Sequence, residues 1–314
     1  MFIETLQSIN LQVIYVIYGV LLFSEMVLWY LKRQSSGHYL ELTQRIRSWW
    51  VMVSIFAATM LLGNGLAYAL IGLVCFIALK EYFSMIPTRR VDRRVIFWAY
   101  ITIPIQFYCS YAGGDVMFMI FIPVYMFLFI PIRMILMGKA HHFLRSVGSI
   151  HWGLMMTVYC LSHSAHLLIM PIGVDFDAGN KGLLLFLVLM TQFNDVAQYC
   201  WGKWLGRIKI LPSISPGKTL AGFLGGLVSS VVLAWFMAPL LTPFTNGLHA
   251  VALGLLISVF GFWGDVNISA LKRDMKVKDT GQLIPGHGGL LDRVDSLTFT
   301  APLFFHFVRY YVGA

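Results

Sequence analysis

The chain has 314 residues, of which 58% are hydrophobic and only 12% charged, with a formal net charge of +9. Its mean hydropathy is +0.75. A soluble domain carries about 25% charged residues, so this composition excludes a soluble globular protein and points to an integral membrane protein with no separate soluble domain. The basic balance does not imply nucleic acid, because the cations lie in short loops between apolar runs, where topology alone accounts for them.

Runs of about 17–25 apolar residues, the length that crosses a bilayer, lie near 9–31, 48–63, 65–86, 95–112, 115–137, 147–171, 182–201, 220–242, 248–268 and 296–313. The expected fold is all-α and polytopic, with about ten transmembrane helices. It has nine if one of the two runs meeting at Gly63-Asn64-Gly65 is re-entrant. The first run is too long for a signal-peptide core and lacks a basic start, so it reads as a retained span. Of the 23 Lys and Arg residues, 20 fall in odd-numbered loops. The first holds Lys32, Arg33, Arg45 and Arg47; the third holds Arg89, Arg90, Arg93 and Arg94; the fifth holds Arg133, Lys139 and Arg145. The positive-inside rule puts these loops in the cytoplasm and both termini outside. Ser35-Ser36-Gly37 in the first loop reads as a flexible connector. The chain divides into amino-terminal helices, 1–190, and a region 191–314 whose loops 201–219 and 272–295 hold most of the unusual polar chemistry.

Cys75, Cys109, Cys160 and Cys200 sit in apolar stretches without a close pair, which reads as buried packing. His141-His142 and the His163/His166 pair lack nearby carboxylate or cysteine partners, so packing outweighs a metal role there. Glu25 and Glu81 lie within apolar spans. Each reads either as a proton or ion ligand or as a buried acid with a partner, such as Lys80 for Glu81.

Around loop seven, Asp195 is an acid near a helix end, and Ser215, Lys218 and Thr219 form a turn suited to phosphate. Gly217-Lys218-Thr219 imitates the end of a P-loop, but the first glycine of that pattern would be residue 212, which is proline. No strand is expected before it, so a P-loop is rejected.

The densest charged stretch is 269–295. Lys272, Arg273, Lys276, Lys278 and Arg293 stand there with Asp274, Asp279, Asp292 and Asp295. Cations that hold phosphates beside carboxylates that hold a divalent metal indicate nucleotide or pyrophosphate chemistry at the membrane face. In a helix, Asp265, Ser269 and Lys272 share one face at i, i+4 and i+7, and the plain alternative is an Asp265–Lys272 pair. Pro285-Gly286-His287-Gly288-Gly289 carries three glycines in four positions, so successive N–H groups are expected to cradle phosphate oxygens. Asp292 and Asp295 stand one helical turn apart and, with Asp265, are expected to hold one or two Mg²⁺ ions. The bland alternative is that they cap the last span and pair with Arg293.

These residues resemble the phosphatidate cytidylyltransferase (CDP-diacylglycerol synthase) family. The resemblance rests on Ser269, Leu271, Lys272, Arg273, Lys278, Asp279, Gly281, Ile284, Pro285, His287, Gly288, Gly289, Leu290, Asp292, Arg293, Val294 and Asp295. Upstream it is carried by Asp195, Tyr199, Gly202, Gly206, Ser215-Pro216, Lys218-Thr219, Gly222 and Gly264-Asp265, covering roughly 190–310. Family members commonly carry Glu where this chain has Ala221 and Ile268, so a diverged branch is implied.

The resemblance implies a Mg²⁺-dependent nucleotidyltransferase joining CTP to phosphatidic acid or a related lipid phosphate, in the bacterial cytoplasmic membrane with its active site facing the cytoplasm. A second, monovalent cation is compatible with it. Asp265, Asp292 and Asp295 are expected to bind metal, with Asp195 a further acid. Lys218, Lys272, Arg273, Lys278 and Arg293 are expected to hold triphosphate and lipid phosphate. Ser215, Thr219, Ser269, Asp279, His287, Gly288 and Gly289 would complete the substrate pocket. The partners are CTP, the lipid phosphate and membrane lipids, with a homodimer compatible. A different lipid acceptor and a non-catalytic paralogue binding lipid or nucleotide are the alternatives. A transporter is disfavoured, because its polar groups would gather at mid-membrane in repeated halves.

Overall fold

Among the described residues, ten helical rods account for the ten apolar runs. The first four are α1 (Ser8–Gln34), α2 (Leu40–Leu62), α3 (Asn64–Met85) and α4 (Asp92–Tyr111). Next, α5 (Asp115–Ile120) continues through a π-helical turn, Phe121–Met126, into α6 (Phe127–Ile135). The turn contains Pro123, whose missing N–H cannot complete a regular α-helical ladder. A second π turn, Leu154–Tyr159, joins α7 (Phe143–Gly153) to α8 (Cys160–His166). The chain then forms α9 (Gly179–Leu205), α10 (Leu220–Leu241), α11 (Gly247–Asp274), and a short α12 (Leu291–Val294) that runs into α13 (Leu297–Val312). This computed structural model describes residues 8–34, 39–87, 92–112, 114–138, 142–284 and 288–313, without the side chains of Glu41, Leu62 and Asp92. Arg89, Arg90, Lys139, His141 and the Ser35-Ser36-Gly37 connector lie outside the described residues.

Six of the rods are long and apolar enough to cross a membrane by length and composition. Gly63, at φ +107°, ends α2 and lets Asn64 begin α3, so the two runs that meet there are separate helices. One departure from the all-helical expectation is small. Lys209–Leu211 (β1) pairs antiparallel with Ser215–Thr219 (β2), making a hairpin between α9 and α10. Lys218 and Thr219 therefore sit on a strand, not in a turn.

Two apolar cores hold the rods together. One gathers α8, α9, α11 and α13 around Phe186, Leu187, Met190, Ile257, Phe304 and Phe305, and α1 reaches it through Val13 and Ile14. The other joins α3, α4, the α5–α6 rod and the α7–α8 rod around Leu79, Tyr82, Ala99, Ile130, Met134 and Leu154. Lipid is as apolar as these side chains, so close packing and small residues decide helix association in the bilayer. The α9–α10 crossing illustrates this: a Cβ on Gly222 would lie 2.7 Å from the Gln198 carbonyl oxygen.

Polar ties mark both ends of the bundle. At the end adjoining the even loops, Ser110 Oγ meets His166 Nδ1 at 2.6 Å, His166 Nε2 meets Asp115 Oδ1 at 3.1 Å, and Arg309 lies 3.5 Å from Asp115 Oδ2. His163 bonds the Tyr159 carbonyl through Nδ1 at 2.8 Å. The two histidines are therefore built into the packing. The other end, adjoining loops one, three, seven and nine, carries the site.

Candidate active site

Four segments converge on Asp265: α9, β2, α11 and the α12–α13 junction. Lys218 Nζ of β2 lies 2.6 Å from Asp265 Oδ2 and donates to Gln198 Oε1 at 3.2 Å. Ser269 Oγ, one turn further along α11, donates to Asp265 Oδ1 at 3.2 Å. Asp195 of α9 accepts from Ser296 Oγ at 3.1 Å, and Asp295 accepts the Ser296 N–H at 2.7 Å. A glycine makes this meeting possible. A Cβ on Gly264 would lie 2.7 Å from the Asp295 carbonyl oxygen, so only glycine lets α11 touch that backbone.

Three carboxylates thus share the field of the Lys218 ammonium. Burial pulls the Lys218 pKa down, but the Asp265 and Asp195 charges outweigh it and hold it above the usual lysine range. The Asp295 carboxyl is held well above the usual carboxylate range, first by burial and then by the Asp265 and Asp195 charges.

A second ion pair organises the loop after α11. Lys272 Nζ lies 2.7 Å from Asp292 Oδ1, and Asp292 is only 7% exposed. Asp292 Oδ2 accepts the N–H of Thr280 at 2.9 Å and that of Gly289 at 3.1 Å. Glu81 of α3 enters from the opposite side and accepts the N–H groups of Leu290 and Leu291 at 2.9 and 2.8 Å. The glycines have steric work here: a Cβ on Gly289 would lie 2.6 Å from Glu81 Oε2, and Gly288 adopts φ +81° beside Asp292. The Gly289 N–H of the predicted phosphate cradle is thus taken by Asp292, and Pro285, Gly286 and His287 of that cradle lie outside the described residues.

Two cavities open on this constellation. The smaller, about 240 Å³, is polar on one side and lined by Asp195, Gln198, Ser215, Lys218, Thr219 and Asp265, with Phe223 as an apolar wall. The larger, about 1140 Å³, lies between α1, α2, α9 and the segment 278–293. Drug-sized ligands occupy roughly 300–1,000 Å³, so the first suits a fragment such as a phosphate group and the second a bulky molecule. Asp195 and Tyr199 line both.

The profile of the cytidylyltransferase family matches residues 43–311, nearly the whole described bundle after α1. The chain belongs to the cytidylyltransferase family. Among its relatives, YnbB of Escherichia coli (strain K12), an uncharacterized protein, is 43% identical over 289 residues, covering 92% of this chain and 93% of that one. A phosphatidate cytidylyltransferase of Synechocystis sp. is 49% identical over 118 residues, covering 36% of this chain and 39% of its own. One from Staphylococcus aureus (strain COL) is 36% identical over 155 residues, covering 48% and 58%. The chain thus covers less than two thirds of either of these two proteins, and most of YnbB. It is a membrane-embedded nucleotidyltransferase, and the family match reaches far upstream of the segment whose motifs carry the resemblance.

Within this cytidylyltransferase the predicted residues divide into groups. Asp195, Lys218, Asp265, Ser269 and Asp295 stand together. Lys272 pairs with Asp292, so the plain Asp265–Lys272 alternative is not what forms. Asp292 bonds Lys272 and the Thr280 and Gly289 N–H groups, while Asp195 stands with Asp265 and Asp295. Ser215 lines the smaller cavity. Thr219 caps α10, accepting the Gly222 N–H at 3.1 Å. Arg273 donates to the Ile214 carbonyl at 3.1 Å and braces the hairpin. Lys278, Asp279, Gly288 and Arg293 line the larger cavity. His287, with Pro285 and Gly286, lies outside the described residues. Cys200 is exposed and lines the larger cavity, against the expectation of buried packing.

Of the two departures from the family pattern, Ile268 does not face the Lys218–Asp265 pair. That side chain is fully buried in the second apolar core with Leu291 and Val294, where a carboxylate would lack a polar partner. The structure offers no account of Ala221. The sequence reading missed Gln198 and Thr280. Gln198 was legible as a polar residue one turn beyond Asn194 on α9, but its role depends on the hairpin that delivers Lys218.

Among the described residues, no group of three or more His, Cys, Asp or Glu side chains is arranged to hold a metal ion as it stands. The donor chemistry of Asp195, Asp265 and Asp295 nevertheless fits a hard divalent cation. Carboxylate oxygens are the donors such a cation takes, and Asp295 is raised first by burial and then by the Asp265 and Asp195 charges, with Lys272 opposing them.

Proposed function

We propose that this cytidylyltransferase joins CTP to phosphatidic acid, giving CDP-diacylglycerol and pyrophosphate, with its site on the cytoplasmic side of a bacterial membrane. The observation that supports this reading is the pair of cavities meeting at Asp195 and Tyr199, a small one that holds Lys218 beside Asp195 and Asp265, and a large one bounded by apolar residues of α1 and α2 and by the charged segment that contains Lys278 and Arg293. Two anionic substrates of different character need such adjoining compartments. The printed names of the Synechocystis and Staphylococcus relatives support the same acceptor.

In the reaction a lipid phosphate oxygen attacks the α-phosphorus of CTP. A new P–O–P linkage forms as the bond to the bridging oxygen of the β-phosphorus breaks, and that electron pair leaves on pyrophosphate. No covalent nucleophile is required, so catalysis is positioning and charge neutralisation. Lys218 holds phosphate oxygens in the smaller cavity, and Lys278 and Arg293 draw the lipid phosphate along the larger one. Lys272 and Asp292 keep the 278–292 loop in shape. Asp195, Asp265 and Asp295 would hold Mg²⁺, which when bound neutralises charge developing on the phosphates.

The test incubates purified, lipid-embedded protein with α-labelled CTP, phosphatidic acid and Mg²⁺, beside an Asp265→Asn variant. CDP-lipid from the wild type and not the variant supports the reading. A folded wild type that binds CTP yet forms product only with another lipid phosphate moves the acceptor assignment to that lipid.

A further inference from the structure

The larger cavity is not closed by the segment that carries the family motifs. Its far wall consists of Phe23, Val27 and Leu28 of α1, facing Leu42, Ile46 and Trp49 at the start of α2. α1 precedes the family match, which begins at residue 43. The beginning of α1 is fixed to the bundle: Asn10 is fully buried and donates to the Ala178 carbonyl at 2.9 Å, and Val13 and Ile14 enter the first core. Tyr18 Oη donates to Ser54 Oγ at 3.1 Å and ties α1 to α2. Beyond these anchors, residues 23–28 line the cavity opposite Val196 and Cys200 of α9.

The chemistry of the lining is divided. The α1–α2 wall is mostly apolar, interrupted by Ser24 and Arg45; on the opposite side Lys278 and Arg293 stand with Asp195, Asp279 and Asp292, the last already paired with Lys272. Among the described residues the buried Arg293 Nε has no hydrogen-bond partner, and a buried guanidinium N–H without an acceptor is costly. An anionic head at Arg293, joined to long apolar chains along the α1–α2 wall, matches both parts, and at about 1140 Å³ the cavity exceeds the roughly 300–1,000 Å³ of drug-sized pockets.

We infer that α1, with the first turns of α2, forms the acyl-chain wall of the acceptor site and selects which lipid phosphates enter. The inference rests on the proposed acceptor reading and deepens it: the occupant is a membrane phosphomonoester lipid, its head at Arg293 and its chains along Phe23, Val27 and Leu28. Selectivity for the lipid then resides in a helix outside the family match, while CTP is handled by β2, α9 and α11.

The experiment compares wild type with Val27→Trp, which fills the cavity, and Val20→Trp, which adds the same bulk at a 60% exposed position outside the lining. Full-length proteins are reconstituted, and initial rates are measured with long-chain and dioctanoyl phosphatidic acid at saturating CTP. Val27→Trp is expected to raise KM for the long-chain lipid about tenfold, the scale at which a hydrophobic pocket rejects a misfit, with KM for CTP unchanged. Val20→Trp should match wild type. Val27→Ala widens the same wall, should favour bulkier branched chains, and keeps the test decisive if the Trp variant does not fold. Equal lipid KM in wild type and both Val27 variants overturns the inference, as does an equal effect of Val20→Trp.

A second readout separates this inference from the acceptor reading. Cys200 is exposed and lines the cavity, so its alkylation by a maleimide, followed by mass spectrometry, reports occupancy without turnover. Protection by phosphatidic acid but not phosphatidylcholine, weakened in Val27→Trp, sustains the inference even if no CDP-lipid is formed from phosphatidic acid. Absence of protection at saturating phosphatidic acid overturns it.

Discussion

Glu81 of α3 accepts the backbone N–H groups of Leu290 and Leu291, 209 and 210 residues further along the chain. An acid in an early span thus builds the loop at the other end of the sequence, and the Thr280 hydroxyl, 3.1 Å from its Oε2 and 3.0 Å from Asp292 Oδ2, links the two carboxylates. Leaving one buried N–H unsatisfied costs about 1–3 kcal/mol. Glu81→Ala should therefore lower the thermal midpoint in detergent and reduce turnover, with Glu81→Gln intermediate because its amide keeps one acceptor. An alanine variant as stable and active as wild type would refute this role.

Gly264 makes a sharper prediction. Its missing side chain allows α11 to meet the Asp295–Ser296 backbone, so Gly264→Ala must push Asp265 away from Asp295. Overpacking costs about 1–3 kcal/mol, and loss of alignment should cost far more in rate than in stability. Comparing the unfolding midpoint with kcat tests this. A variant that loses stability yet keeps wild-type kcat would show that the contact does not align the site.

Much of this was legible in the sequence because the forces involved are local. Apolar run length gave the rods, and helical spacing put Ser269 beneath Asp265. What remained hidden depends on contacts between distant segments. Lys272 was equally able to reach Asp265 or Asp292, and only the return of the chain through α12 decides between them. The segment after Gly289 carries the same residues whatever it binds, and the sequence contains no sign that Glu81 arrives to accept the Leu290 and Leu291 N–H groups. The hairpin was missed because β1 is three residues long, too short to show alternation.

That division between Asp265 and Asp292 can be measured. Asp265 belongs to the proposed Mg²⁺ donors, whereas Asp292 holds Lys272 and the loop amides. Asp265→Asn should raise the Mg²⁺ concentration needed for half-maximal rate, with partial recovery at high Mg²⁺. Asp292→Asn should depress both stability and rate, because Lys272 is left buried against a neutral group, and added Mg²⁺ should not restore either. Full rescue of Asp292→Asn by Mg²⁺ would return that residue to the metal set.

Asp295 predicts how stability changes with pH. Its carboxyl is held well above the usual range by burial and by the Asp265 and Asp195 charges. A carboxyl with a folded-state pKa above its unfolded value, about 3.9, contributes stability that is fully present below that unfolded value. The contribution is lost as pH rises through the raised folded-state value, since the unfolded chain gives up its proton first. In chelator-treated detergent solution, the unfolding midpoint should therefore fall over that window, and Asp295→Asn, which cannot ionise, should flatten the decline. Added Mg²⁺ should stabilise wild type most on the high-pH side, where Asp295 is ionised and available to a cation. Parallel pH profiles for wild type and Asp295→Asn would show that the Asp295 proton is not held by these neighbours.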